Sequence, residues 1–410
     1  MRICIVAFVV PQHSIGGMQD HTRDLGRGLV RDGHDVEVIT SRHPEGKREE
    51  RVGGVRYVFV DAPRHQNHPV WLRESYAEFV RVHAERPFDV LHSESSSAVE
   101  HVRRGVHRSV PLVAMFHGAF LGAAKGYLTS AWRTHHPLPL LRAMRRIEWI
   151  ARHEYLRHGN WYRFRACEAI VPSRHQLKDT CRSCLLKPSR VHVVPNGIDT
   201  QVFSPRPREE TRAKLSLGDL PLFVCAGRLE RSKGTHHAVR ALALLANTGH
   251  QLRLVIFGDG PERQRLEALA RQLGVAQNVI FEGSQPHDIL ARHLAAADAL
   301  VFPTELDEAA PLAPLQALAC GTPVIASNVG SLSELIDRDG ENGLLVHPGD
   351  PGALAAAMRC VLTQPDLRQR LRVGGRARVL AEYTLEQMVE RTLAVYEIAR
   401  ERLAASSGVQ

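Results

Sequence analysis

Short apolar bursts alternate with helix-length segments along the whole chain, the pattern of an α/β protein. In the first half, residues 2–10 read as a strand that ends at Pro11. Gly16-Gly17 precedes a helical stretch from Met18 to Arg31, and a Gly33-His34 turn leads into a strand over 35–40. Further strands are expected over 55–60, 89–93, 112–117, 169–172 and 191–195. A proline-rich stretch over 203–210 reads as the link to a second series. Strands of that series are expected over 222–226, 252–257, 279–282, 299–302, 323–327 and 343–346. Helices over 234–247, 261–273, 288–297, 312–320 and 351–363 separate them. Two successive doubly wound parallel sheets are the simplest assembly, with no short repeat and no low-complexity tract. Open parallel sheets bind ligands beyond the carboxyl ends of their strands, so the informative residues should follow each apolar burst directly.

The 410 residues are 44% hydrophobic and 24% charged, which excludes a disordered, fibrous or collagen-like chain. No apolar run approaches the ~18 to 20 residues of a membrane-spanning helix. The N-terminal run is short and lacks a small-residue cleavage site after it, so the chain is expected to stay in the cytoplasm. The 7 cysteines are too scattered for a disulfide framework. Cys181 and Cys184 alone have redox-like or metal-like spacing, and one such pair is a weak signal. The net charge of +9 resides in the first half: residues 1–199 carry 30 Lys/Arg against 20 Asp/Glu. Such an excess attracts a phosphorylated ligand, an acidic lipid surface or nucleic acid.

Three segments of the second half carry chemistry. Gly227-Arg228-Leu229-Glu230-Arg231-Ser232-Lys233-Gly234 follows a buried strand and opens a helix. Free N–H groups and a helix N-terminus favour an anion there, and Arg228 and Lys233 add two cations. That is a diphosphate clamp without a Walker A run. Gly258-Asp259-Gly260-Pro261 supplies a second glycine-rich edge. The third segment runs from Glu308 through Leu312 and Gln316 to Pro323. Pro314 suits a first helical turn and Gly321 the position past a helix end, so a short helix aims its N-terminus at the same crevice. Glu308 and Gln316 are then placed to hold sugar and ribose hydroxyls. The bland alternative makes Glu308 an electrostatic cap and leaves Gln316 solvated. In the first half, Gly16-Gly17 lies at the first strand-to-helix turn, and His117-Gly118 ends the strand PLVAMF. His92 is a weaker candidate of the same kind.

These motifs, together with Pro195-Asn196-Gly197-Ile198-Asp199, occur in an order that resembles glycosyltransferase family 4, retaining nucleotide-sugar transferases of the GT-B fold. The resemblance is weakest over about 120–165. It implies two Rossmann-like domains facing each other across a cleft: 1–199 for the acceptor and 200–384 for the nucleotide sugar. A C-terminal helix over about 385–405 is expected to pack back onto the first. Arg228 and Lys233 would bind the donor diphosphate, with Gly16, Gly17, Gly258, Gly260 and Leu312 around the donor. Glu308 matches the first of two family glutamates with seven residues between them and would touch the donor sugar. Gln316 stands where the second glutamate holds the ribose, and Pro311 removes a backbone donor from the sugar-facing loop. Both are departures from the family pattern. His117 would sit between acceptor and donor. The resemblance implies no cofactor and no metal, only a UDP- or GDP-linked sugar as co-substrate.

The resemblance implies a hydroxyl acceptor, and a lipid-linked or phosphorylated glycan precursor would suit the basic first half. Leu140, Leu141, Met144, Ile147 and Ala151 recur at helical spacing, with Arg142, Arg145, Arg146 and Arg152 largely elsewhere around the helix. A basic amphipathic helix of this kind reads as peripheral contact with anionic membrane, or as an ordinary core-facing helix with solvated arginines. Nucleic-acid binding is disfavoured by 6% aromatics and the lack of a helix-turn-helix or zinc-finger signature. A non-catalytic nucleotide-sugar binder and a same-fold epimerase or phosphorylase are the remaining alternatives.

Overall fold

The computed structural model describes residues 1–65, 68–118, 137–152, 162–337 and 339–407. They form two compact units, Met1–Gly197 with Leu385–Gln410, and Ile198–Thr384. The chain order opens β1 (Arg2–Val6), α1 (Gly17–Arg31), β2 (Asp35–Thr40), β3 (Glu49–Val52), β4 (Val55–Phe59) and α2 (Pro69–Glu85). It continues β5 (Val90–Glu94), α3 (Val99–Arg103), β6 (Leu112–Met115), α4 (Pro137–Ile150), β7 (Glu168–Val171), α5 (Arg174–Cys184) and β8 (Val191–Val193). The second unit runs α6 (Arg208–Lys214), β9 (Leu222–Ala226), α7 (Thr235–Asn247), β10 (Arg253–Phe257), α8 (Arg263–Gln272) and β11 (Val279–Gly283). Then come α9 (His287–Ala296), β12 (Ala299–Phe302), α10 (Leu312–Ala319), β13 (Val324–Ser327) and α11 (Leu332–Leu335). β14 (Leu344–Val346), α12 (Pro351–Thr363) and α13 (Pro365–Glu382) complete it, and α14 (Leu385–Ser407) returns to the first unit.

Within the first unit the described strands make one sheet in the order β3-β4-β2-β1-β5-β6-β7-β8. All neighbours are parallel except β3 on β4. Both faces of the sheet are covered, which is why β1 is buried at every position. Ile3 and Ile5 point to one face with Leu25 and Leu29 of α1 and Met388, Val389 and Tyr396 of α14. Cys4 and Val6 point to the other, with Trp71, Phe79 and Val102.

The second unit repeats the plan with the order β11-β10-β9-β12-β13-β14, parallel throughout. Leu222, Val224 and Ala226 face Leu294, Leu315 and Leu318, while Phe223 and Cys225 face Val239, Leu242 and Met358. Each sheet therefore has a topological switch point, where the strand order reverses: β1/β5 in the first unit and β9/β12 in the second.

Some sequence expectations shift. The stretch 203–210 is no link: Phe203 is buried in the second unit's core, and α6 starts at Arg208. The break falls at 197/198, and Ile198 bridges Thr384. Several strands end earlier than their apolar runs. β1 stops at Val6 although Ala7 and Val10 are buried, and β6 stops at Met115, so His117 lies beyond the sheet. Burial continues past the last paired residue, where single bonds from Ala7 N–H to Ile39 O and Phe116 N–H to Ile170 O close the strands, so hydrophobicity alone overruns them.

Candidate active site

In the second unit, the loops after β9 and β12 meet at the switch point. Backbone bonds tie them, Glu305 N–H donating to Ser232 O at 2.8 Å. Gly234, at φ +70°, allows the approach, because a Cβ there would collide with the carbonyl of Pro303. Lys233 is thereby brought to Glu308, with Nζ donating to Oε1 at 2.7 Å. Thr304 Oγ1 donates to the same oxygen at 2.8 Å. The backbone of Glu308 is anchored by Ser331 N–H at 2.9 Å. The Lys233 and Glu308 side chains are only 18% and 11% exposed, so the pair is sheltered yet reachable. Glu308 Oε2 makes no hydrogen bond among the described residues and is available to a hydroxyl.

Arg228 is placed differently. Its side chain is 67% exposed and held to Glu230 at 2.7 Å, without contact to Lys233 or Glu308. The Gly258–Gly260 turn lies against the loop that carries it. Leu229 N–H donates to Asp259 O at 2.9 Å, and Gly258 (φ +111°) packs so closely on Gly227 that a Cβ would strike its carbonyl. Leu312 begins α10, whose N-cap is Pro311 with no side-chain cap. Because Pro314 has no N–H, Leu312 and Ala313 offer the first free backbone donors of that helix. Gln316 is buried, against the solvated alternative, and its carboxamide has no hydrogen-bond partner among the described residues. Lys233, Glu308, Leu312 and Gln316 thus lie on adjoining loops and one helix, while Arg228 stands apart in solvent.

Sequence reasoning missed a cluster beside this pair. His237 Nε2 lies 3.0 Å and His236 Nε2 3.9 Å from Glu305 Oε1. Burial, reinforced by His237 and nearby arginines, lowers the pKa of His236 to about 3, so it is neutral.

In the first unit, Gly16 caps α1 without a side-chain bond, and Gly17 starts the helix exposed. His117 follows β6, and its Nε2 lies 2.5 Å from Oε2 of Glu94, the last residue of β5. His21 of α1 and His92 of β5 approach the other carboxylate oxygen at 3.8 and 3.6 Å. Burial alone would raise the Glu94 carboxyl, but His21 and His117, the latter also by its hydrogen bond, hold it well below its ordinary range. His21 is itself lowered to about 4, first by burial. Glu94 ends the fully buried strand VLHSE, where an acid among buried positions was the one hint.

Two groups among the described residues have the spacing of cation ligands, His21–Glu94–His117 and His236–His237–Glu305. The Cys181/Cys184 pair belongs to neither, and Cys184 is buried with its thiol raised by desolvation. No described helix is long and apolar enough to cross a membrane. α4 keeps Leu141, Met144 and Trp149 between 47% and 55% exposed rather than turning them to a core.

Residues 15–202 match the family model Glycosyltransferase Family 4, and residues 207–378 match Glycosyl transferases group 1. The D-inositol 3-phosphate glycosyltransferase of Acidothermus cellulolyticus is 34% identical over 95% of this chain and 88% of its own. Among solved structures, sucrose-phosphate synthase from Thermosynechococcus elongatus is 25% identical with a TM-score of 0.76, covering 98% of this chain and 99% of that one. Anabaena HepE in complex with UDP-glucose has the same fold, at 18% identity and a TM-score of 0.72 over 99% and 100% of the two chains. The chain belongs to glycosyltransferase family 4 and is a glycosyltransferase of the GT-B fold.

Proposed function

We propose that this glycosyltransferase binds a nucleoside-diphosphate sugar at the β9/β12 end of its second unit. It transfers the sugar, with retained anomeric configuration, to a hydroxyl of a phosphorylated or lipid-linked acceptor held by the first unit. The observation that carries the reading is the sheltered Lys233–Glu308 pair at the switch point. Breaking the anomeric C–O bond leaves negative charge on the diphosphate. The Lys233 ammonium and the free N–H groups of α10 meet that charge where it develops. Glu308 Oε2 accepts from a sugar hydroxyl, and the Gln316 carboxamide bonds ribose hydroxyls as a neutral partner. Arg228 swings from Glu230 to the phosphates on binding. No metal is needed, because fixed cations supply the neutralising charge.

A uridine or guanosine donor is the reading adopted; HepE, which shares the fold, holds UDP-glucose. The inositol-phosphate relative supports a phosphorylated acceptor, as does the basic first half. The exposed apolar residues of α4, interleaved with Arg142, Arg145 and Arg146, support peripheral binding to anionic lipid.

Thermal stabilisation by UDP-, GDP- and ADP-sugars, followed by release of free nucleotide with candidate acceptors, tests the function. Stabilisation by one nucleotide class, with turnover, is expected. No stabilisation by any of them refutes the donor site. Co-sedimentation with anionic but not neutral vesicles at low salt is expected for the membrane contact, and equal binding to both removes it.

A further inference from the structure

Three separate pieces of the first unit, α1, β5 and the loop after β6, meet at one carboxylate. Glu94 ends β5 with its side chain 0% exposed, and His117, from the loop after β6, lies 2.5 Å from Oε2. Oε1 has no hydrogen bond and faces the Nε2 atoms of His92 at 3.6 Å and His21 at 3.8 Å. Each of those rings is held from behind: His92 Nδ1 lies 2.8 Å from the hydroxyl of Tyr396 on α14, and His21 Nδ1 lies 3.1 Å from Asn196 Oδ1. Among the described residues no lysine or arginine pairs with the carboxylate. An ionised carboxylate at such depth is costly unless its partners repay the lost hydration. Here the partners are imidazoles, and the shortest contact goes to the one His that is partly exposed, 18% at its side chain.

A carboxylate can only accept, so the short contact fixes a proton on His117 Nε2. In a neutral ring that leaves Nδ1 as the acceptor. Nδ1 has no hydrogen-bond partner among the described residues. We propose that Glu94 is a positioning residue for His117, locking its tautomer and ring orientation so that Nδ1 accepts a hydrogen bond from a substrate hydroxyl. His21, Asn196, His92 and Tyr396 buttress the carboxylate and keep it from rotating away. The inference rests on the reading of His117 as a residue that faces substrate.

The test uses the full chain. Nitrogen-15 NMR of the ligand-free protein should find His117 protonated at Nε2 and not at Nδ1. Glu94→Gln, whose amide can donate as well as accept, should mix the tautomers and lower nucleotide release from the best-stabilising donor sugar at least tenfold. Glu94→Asp should recover part of the loss, and serves in place of Glu94→Gln if that variant does not fold. His117→Ala should lose at least as much, and adding the Glu94 change to it should cost little more. A wild-type ring protonated at Nδ1 overturns the proposal, as does a Glu94 effect that simply multiplies with that of His117→Ala. Wild-type turnover in His117→Ala instead overturns the underlying reading of His117.

Discussion

Replacing Lys233 by alanine removes the positive partner of Glu308 and, in the proposed reaction, the cation that meets the developing phosphate charge. The Nζ–Oε1 separation is 2.7 Å, and the two side chains are 18% and 11% exposed. At an effective dielectric near 20, two unit charges ~4 Å apart interact by ~4 kcal/mol, an upper guide to what one phosphate charge loses. Removing a single preorganised donor from a developing anion costs ~100- to 1,000-fold in turnover, about 3 to 4 kcal/mol. Lys233→Ala should therefore lower kcat by about 100-fold or more. Stability should fall less than the ~3 to 5 kcal/mol of a broken, fully buried pair, because Thr304 still donates to Glu308 and both groups reach solvent. The assay is nucleotide release at saturating donor, with calorimetric titration of the free nucleoside diphosphate and a thermal melt alongside. A folded variant with near-wild-type turnover and nucleotide affinity would falsify the assignment.

Arg228→Ala should weaken donor affinity by about tenfold with a smaller change in kcat, since the exposed side chain must leave Glu230 to engage phosphate; an unchanged KM counts against its role. Gln316→Glu should tighten nucleotide binding by about three- to tenfold through a charge-assisted bond to ribose, read by calorimetry; unchanged or weaker affinity means that no ribose lies at Gln316. Acid should destabilise the fold in a defined window. His21 is lowered from 6.5 to about 4, and His101 and His236 to about 3, each chiefly by burial. The unfolded chain takes up these protons first, so their contribution is complete above pH ~6.5 and is lost as pH falls toward 4. His21 alone contributes up to about 3 kcal/mol, and a melting temperature constant from pH 7.5 to 4.5 contradicts this. Full activity is expected in EDTA; a loss restored by a divalent cation would point to the His21–Glu94–His117 or His236–His237–Glu305 group.

The architecture was legible wherever apolar runs were continuous. β9 and β12 coincide with their predicted ranges, because strands buried on both faces show as unbroken hydrophobic stretches, and β2 does so from the turn before it and its alternating Val36 and Val38. β3 was invisible: Glu49-Glu50-Arg51-Val52 is a charged edge strand paired antiparallel with β4. α13 also went unread, because its buried stripe is only Leu371, Gly375 and Val379 among many arginines. At the site, the loops after β9 and β12 could be found from glycines and charges at strand ends. Their pairing could not: nothing in the sequence says that Lys233 meets Glu308 while Arg228 turns to Glu230. Glu94 escaped because a single acid at the end of a short strand carries no spacing signal, and its meaning comes from His21, His92 and His117, brought together by α1, β5 and the loop after β6.

The most direct measurement is a crystal structure of the full chain with the nucleoside diphosphate that stabilises it best. A terminal phosphate is expected within hydrogen-bond reach of Lys233 Nζ, with the ribose against Gln316. A nucleotide seated elsewhere, with Lys233 still committed to Glu308 alone, would contradict it.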